Sequence, residues 1–171
     1  MKRRSVLSAF AIAVFGLGVM TGGAVSQQKS LKEQLVGSWS FTSATTTHPD
    51  GRKVETFGPN PGGLLIFDSN GRYASLVVRQ GVPKFASNSR EGGTAEENKA
   101  AVQGSIAHVG RYTVNEADRT VTFHIEYSSF PNWNGTEQKR PITVAGDDMK
   151  YTVLTPSAGS GTAEVTFKRA K

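Results

Sequence analysis

The stretch Leu64-Leu65-Ile66-Phe67-Asp68-Ser69-Asn70-Gly71-Arg72-Tyr73-Ala74-Ser75-Leu76-Val77-Val78-Arg79 decides the fold class. Two short apolar runs flank Asp68-Ser69-Asn70-Gly71. Asn-Gly between such runs signals a hairpin, because both residues tolerate the positive φ of a tight turn. The same alternation of short runs and turn residues continues in both directions. Upstream, strands are predicted at 39–47 and 53–57, parted by Pro49-Asp50-Gly51. The stretch Gly58-Pro59-Asn60-Pro61-Gly62-Gly63 is barred from a central strand, because proline donates nothing to a ladder, and predicts a sharp corner. Downstream, strands are predicted at 110–114 and 120–129 around an Asn115 to Arg119 turn, then at 136–144, 149–155 and 162–168. Nineteen glycines and seven prolines supply the punctuation. The pattern predicts an all-β protein, an antiparallel up-and-down barrel of about eight strands.

One segment breaks the pattern. Residues 80–93 read as a polar loop, and Thr94-Ala95-Glu96-Glu97 then spells a capping box, Thr94 capping the Glu97 N–H while Glu97 reaches back. A helix is expected over 95–108, with Val102, Ile106 and Val109 on one apolar stripe, acting as a lid or plug on the barrel. A shorter helical turn is expected at 30–35.

The N-terminus carries a different signal. Met1-Lys2-Arg3-Arg4 is a basic start, an apolar run follows to Met20, and Ala24-Val25-Ser26 is an A-x-A-like cleavage site. Residues 1–26 are therefore expected to be a signal peptide and 27–171 one domain, exported to the periplasm or the exterior, with no membrane span after cleavage. Arg3-Arg4 leaves the twin-arginine and general export routes both open. Loss of Lys2, Arg3 and Arg4 would reduce the net charge from +6 to +3. The remaining basic residues are scattered, without the clustered stripe that nucleic acid requires. The chain has no cysteine, so disulfides, thiolate chemistry and a lipid-anchored cysteine are all excluded.

Strand 120–129 is where chemistry is expected. Side chains alternate along a strand, so Val121, Phe123, Ile125 and Tyr127 share one face and Thr122, His124, Glu126 and Ser128 the other. Alternation alone leaves open which face lines the interior. His124 and Glu126 would stand roughly 7 Å apart, two rises of about 3.3 Å, which suits two groups on one pocket wall. No G-x-S-x-G elbow exists, and His48, His108 and His124 lack metal-ligand spacing, so no metal or cofactor is expected. His108 is expected to close the helix, where its charge would favour the dipole's negative end. Asn134-Gly135-Thr136 matches a glycosylation sequon.

Five ordered blocks also carry a resemblance. They are Leu35-Val36-Gly37-Ser38-Trp39; Phe57-Gly58-Pro59-Asn60-Pro61-Gly62-Gly63-Leu64-Leu65-Ile66-Phe67; Phe85-Ala86-Ser87; Gly110-Arg111-Tyr112; and the segment from His124 through Pro131, Trp133 and Gly135 to Gln138. Together they resemble a bacterial and fungal lipocalin-like domain family over roughly 35–169, without the cysteine pair of secreted animal lipocalins. The resemblance implies a barrel with a cavity, Gly37 and Trp39 closing one end, and the polar strip of His124 and Ser128 in a pocket wall. Pockets of this kind are mostly apolar with a few orienting polar groups. The leading expectation is a module binding a small apolar or amphipathic ligand, with Phe67, Tyr73, Tyr112, His124, Glu126, Ser128 and Trp133 as wall candidates. The alternatives are an isomerase or cyclase moving protons through His124 or Glu126, and a barrel-type inhibitor or protein-contact module. Monomer and dimer are both open.

Overall fold

The computed structural model describes residues 29–171; the expected signal peptide lies outside the described residues. Nine strands run β1 Gly37–Thr47, β2 Lys53–Glu55, β3 Gly62–Phe67, β4 Arg72–Val78, β5 Ser105–Asn115, β6 Thr120–Ser128, β7 Glu137–Ala145, β8 Asp148–Val153 and β9 Thr162–Arg169. Neighbours from β3 to β9 pair antiparallel, and β1 pairs with both β3 and β9, so eight strands close on themselves. The ninth, β2, pairs with the far end of β1 before the chain leaves the sheet at the corner, which is shorter than expected, because Gly62 and Gly63 already pair with Val78 and Val77 in β3. Phe57 in that corner packs edge-on against Phe41 at 5.8 Å.

The two ends differ. At one end, tight hairpins join β3 to β4, β5 to β6 and β7 to β8. Asn70-Gly71 makes the first, with Gly71 at φ +83° and its N–H donating to Asp68 O at 3.1 Å. This end is shut by helix α1, Leu31–Leu35, which is capped by Ser30 and Glu33 and buries both leucines. Glu116 of the β5–β6 hairpin accepts the N–H groups of Leu31 and Lys32 at 2.8 and 3.0 Å. Trp39 is 0% exposed here and donates its indole N–H to Leu35 O at 2.7 Å. The Arg169 guanidinium covers the indole at 4.1 Å and donates onward to the carbonyls of Gln34 and Val36. Long connections gather at the opposite end, which forms the mouth.

Helix α2 is shorter than the sequence pattern implies. It spans Ala95–Gly104, with the Thr94–Glu97 capping box formed, and Glu97 also accepts the Ala86 N–H at 2.9 Å. The chain turns extended at Ser105, because Ile106 and His108 are drawn into the β4–β5 ladder. The expected stripe therefore does not exist: Val102 is 75% exposed, and Ile106 and Val109 are strand residues. His108 sits mid-strand and buried rather than at a helix terminus. Among the described residues no helix is long and apolar enough to cross a membrane.

These placements separate two apolar side chains. Trp39→Ala is expected to cost about 3–5 kcal/mol, as large core truncations do. Val102→Ala on α2 is expected to stay within about 0.5 kcal/mol of wild type. Urea unfolding of both variants checks the pair, and similar losses would place the plug elsewhere.

Candidate functional site

A cluster of aromatic rings crosses the interior and sets the depth of the site. Phe123 lies at its centre, with Tyr73, Phe67, His108 and Tyr151 at ring distances of 4.7, 5.9, 6.0 and 6.0 Å. Tyr112 packs on Phe67 at 4.8 Å and donates its hydroxyl to Asp68 O. Toward the mouth is a chamber of about 60 Å³ walled by Phe41, Val77, Ile106, Trp133, Val153 and Val165. It adjoins a vestibule of about 450 Å³ beside Arg79, Val102 and Phe130; Phe57, Ile106, Ser157 and Ala158 line both. The vestibule falls within the range of about 300–1,000 Å³ usual for ligand sites.

The vestibule is lined by polar Arg79, Gln103, Ser105 and Ser129, whereas few polar groups face the chamber, and most of those are satisfied. The hydroxyls of Thr46 and Thr56 bond each other at 2.7 Å. The Tyr73 hydroxyl and His108 Nδ1 share a hydrogen bond of 2.9 Å. Burial, and then the nearby Arg140 charge, lower His108 to about 3, so its ring is neutral near pH 7. Burial raises the Tyr73 phenol well above its ordinary range, against the pull of Arg140. Tyr151 is raised in the same way.

Arg140 is the exception. It lines the chamber, is only 2% exposed, and forms no ion pair among the described residues. Its guanidinium lies 4.6 Å from the Phe123 ring centre and 4.8 Å from that of Tyr151, with Trp133 at 5.9 Å. Nη2 donates to Gln138 Oε1 at 2.7 Å, whereas Nε is buried without a partner. A desolvated cation over an aromatic face gains about 2 kcal/mol. A buried charge lacking its counter-charge costs several kcal/mol, so the rings offset only part of the penalty.

The wall candidates read from sequence fall in different places. Trp133 lines the chamber. Phe67, Tyr73 and Tyr112 are buried in the aromatic cluster beneath it. His124 and Glu126 lie on the outer wall, which corrects their assignment to the pocket: the buried parity of β6 belongs to Val121, Phe123 and Ile125. There His124 Nδ1 meets Glu137 at 2.9 Å, and Glu126 meets Arg72 at 2.9 Å and Arg111 at 3.6 Å.

Alternation then breaks at Glu126. Gly110 pairs with Ile125 but Val109 with Tyr127, so Glu126 is the extra residue of a β-bulge. A side chain on Gly110 would strike the backbone of His124 and Glu126, so the bulge depends on that glycine. Tyr127 is turned out, 71% exposed, and Ser128 comes opposite inward-facing His108. The Ser128 hydroxyl is already committed, donating to Ala107 O and accepting from the Phe130 N–H. Asn134 of the sequon accepts the Ser128 N–H at 2.7 Å, and Gly135 takes φ +72° beside it, so this motif shapes the loop carrying Trp133.

His108 and Arg140 were not among the wall candidates. The expected helix hid His108. Arg140 was readable by parity, since Ile142 and Val144 require the interior and place Arg140 and Gln138 on the same face of β7.

Residues 36–170 match the family described as lipocalin-like domain. The 4'-hydroxy-3'-methoxypropiophenone carrier protein ppsC of Aspergillus oryzae is 33% identical over 100 residues, covering 55% of this chain and 90% of the relative. Two solved structures are similar at low identity. A redesigned beta barrel, mFAP1, bound to DFHBI shows 18% identity and a TM-score of 0.40, covering 82% of this chain and 100% of that chain. EF1p2_mFAP2b bound to DFHBI shows 17% and 0.37, covering 81% and 95%.

The buried imidazole makes stability depend on pH. His108 sits at about 3 folded against 6.5 as its ordinary value, so between these the unfolded chain holds a proton that the folded chain refuses. Its contribution is therefore intact above the upper value and lost as pH falls toward the lower, at up to about 1.4 kcal/mol per pH unit. Urea titrations of wild type and His108→Gln between about pH 7 and pH 4 should shift in the variant's favour as acid is added. A constant difference would mean that the ring takes up its proton in place.

Proposed function

The chain belongs to the lipocalin-like domain family, and on that premise we propose that it holds a small, largely aromatic molecule inside the mouth of its barrel. The chamber carries this reading: an apolar, aromatic-walled space with few polar side chains, opening onto a more polar vestibule. The Aspergillus relative, named as the carrier of a phenolic ketone, supports the same class of cargo. We further propose that the protein works outside the cytoplasm, on the strength of the leader-like residues 1–26.

An isomerase or cyclase working through His124 or Glu126 is disfavoured, because both lie on the outer wall away from the chamber. An inhibitor barrel would be filled and would act through a protruding apolar loop. The open chamber beside Trp133 favours a ligand instead.

The test is titration of 4'-hydroxy-3'-methoxypropiophenone against tryptophan fluorescence. Saturable quenching of Trp133, which walls the chamber, is expected. Ala163→Val puts two methyl groups into about 60 Å³ and should weaken binding at least tenfold, about 1.4 kcal/mol, with little change in melting temperature. His124→Ala on the outer wall should bind as wild type does. Unsaturable quenching of wild type, or equal binding by Ala163→Val, would remove the site from the barrel.

A further inference from the structure

We infer that the molecule held in the barrel is an organic anion, a carboxylate or phenolate, whose charged oxygen group meets the Arg140 guanidinium. This deepens the cavity reading and rests on it. Three observations converge. Arg140 is 2% exposed and lines the chamber, yet its Nε–H has no acceptor. Neither chamber nor vestibule includes an aspartate or glutamate among its lining residues. Arg79 adds a second guanidinium along the vestibule, donating to Thr56 O at 2.9 Å.

The remaining groups sharpen the assignment. His108, the nearest titratable base, is neutral near pH 7 and its Nδ1 is occupied by Tyr73, so it does not supply a competing charge. Gln138 satisfies Nη2 but is itself uncharged. A water at Nε would satisfy the hydrogen bond and leave the positive charge unanswered; an oxyanion supplies both. The guanidinium lies 4.6 Å from the Phe123 ring centre and 4.8 Å from that of Tyr151, so the aromatic cluster fixes its place beside the chamber. The apolar walls then take the rest of the molecule, so the ligand is a flat or compact apolar body ending in one delocalised negative group.

The experiment uses the protein without its leader at near-neutral pH and isothermal titration with paired ligands of equal shape. Benzoate and cinnamate are set against benzamide and cinnamamide, and 4-nitrophenol is measured on either side of its ionisation. The acids are expected to bind at least tenfold tighter than their amides, or the phenolate at least tenfold tighter than the phenol. Whichever pair discriminates identifies the headgroup. In Arg140→Met the preference should vanish while the amides still bind. The Nε–H resonance of Arg140 in wild type should move with the anion and not with the amide, a readout that survives even if the variant fails to fold. Equal binding of acid and amide, with phenol and phenolate also equal, overturns the anion and leaves the cavity standing. Binding of no member of the series overturns both.

Discussion

Closure of the sheet through β1 is the constraint from which the rest follows. Eleven residues long, β1 pairs with β3 near Gly37, with β9 along most of its length, and with β2 at its far end. A closed sheet has no free edge and only one inside, so each strand must devote alternate positions to a space of fixed width. A register slip in one strand would bury its outward set and expose its inward one. The slack needed for closure is taken up at irregularities, one between Phe41 and Ser43 in β1 and one at Glu126 in β6.

From that constraint comes a division of labour along the barrel axis. At the closed end, short hairpins leave little backbone to order, and Trp39, Arg169 and α1 interlock through hydrogen bonds and ring contact. At the mouth, the chain spends its length on the corner around Phe57, the loop holding Trp133 and the segment around Ser157. Those loops are shaped by their own side-chain bonds, Asn134 to the Ser128 backbone and Glu97 to Ala86. Substitutions that alter binding can therefore occur at one end without disturbing the packing that secures the other.

Most of the barrel was legible in sequence because turn chemistry and strand alternation are local. The Asn70-Gly71 turn, the corner before β3 and the Thr94 cap were each readable from a few neighbouring residues, although Gly62 and Gly63 belong to the strand and not the corner. What was not legible depended on pairing between distant segments. The end of α2 at Gly104 is decided by the β4 ladder, which captures Ile106 and His108 and overrides a helical periodicity that looks continuous. The parity switch at Glu126 depends on Gly110 across the sheet, so no reading of β6 by itself would turn Tyr127 out and Ser128 in. The site was harder still: its wall is assembled from β1, β4, β5, β7, β8 and β9, and only Trp133 of the expected residues reaches it.

Arg140 joins fold to function because parity and chemistry disagree there. Geometry sends its side chain inward along with Ile142 and Val144, where a leucine or methionine would pack at lower cost. The surroundings soften the penalty without removing it: two rings, one amide oxygen and a neutral histidine, but no carboxylate. A fold that needed only stability would have no use for this arrangement, since closure, the aromatic cluster and the Trp39 plug all stand without a charge in the chamber. A group that stabilises nothing by being left unpaired is accounted for by what it pairs with when the chamber is filled. The same buried setting that makes an unpaired guanidinium expensive also strengthens its bond to an oxyanion, because the local dielectric around Arg140 is low.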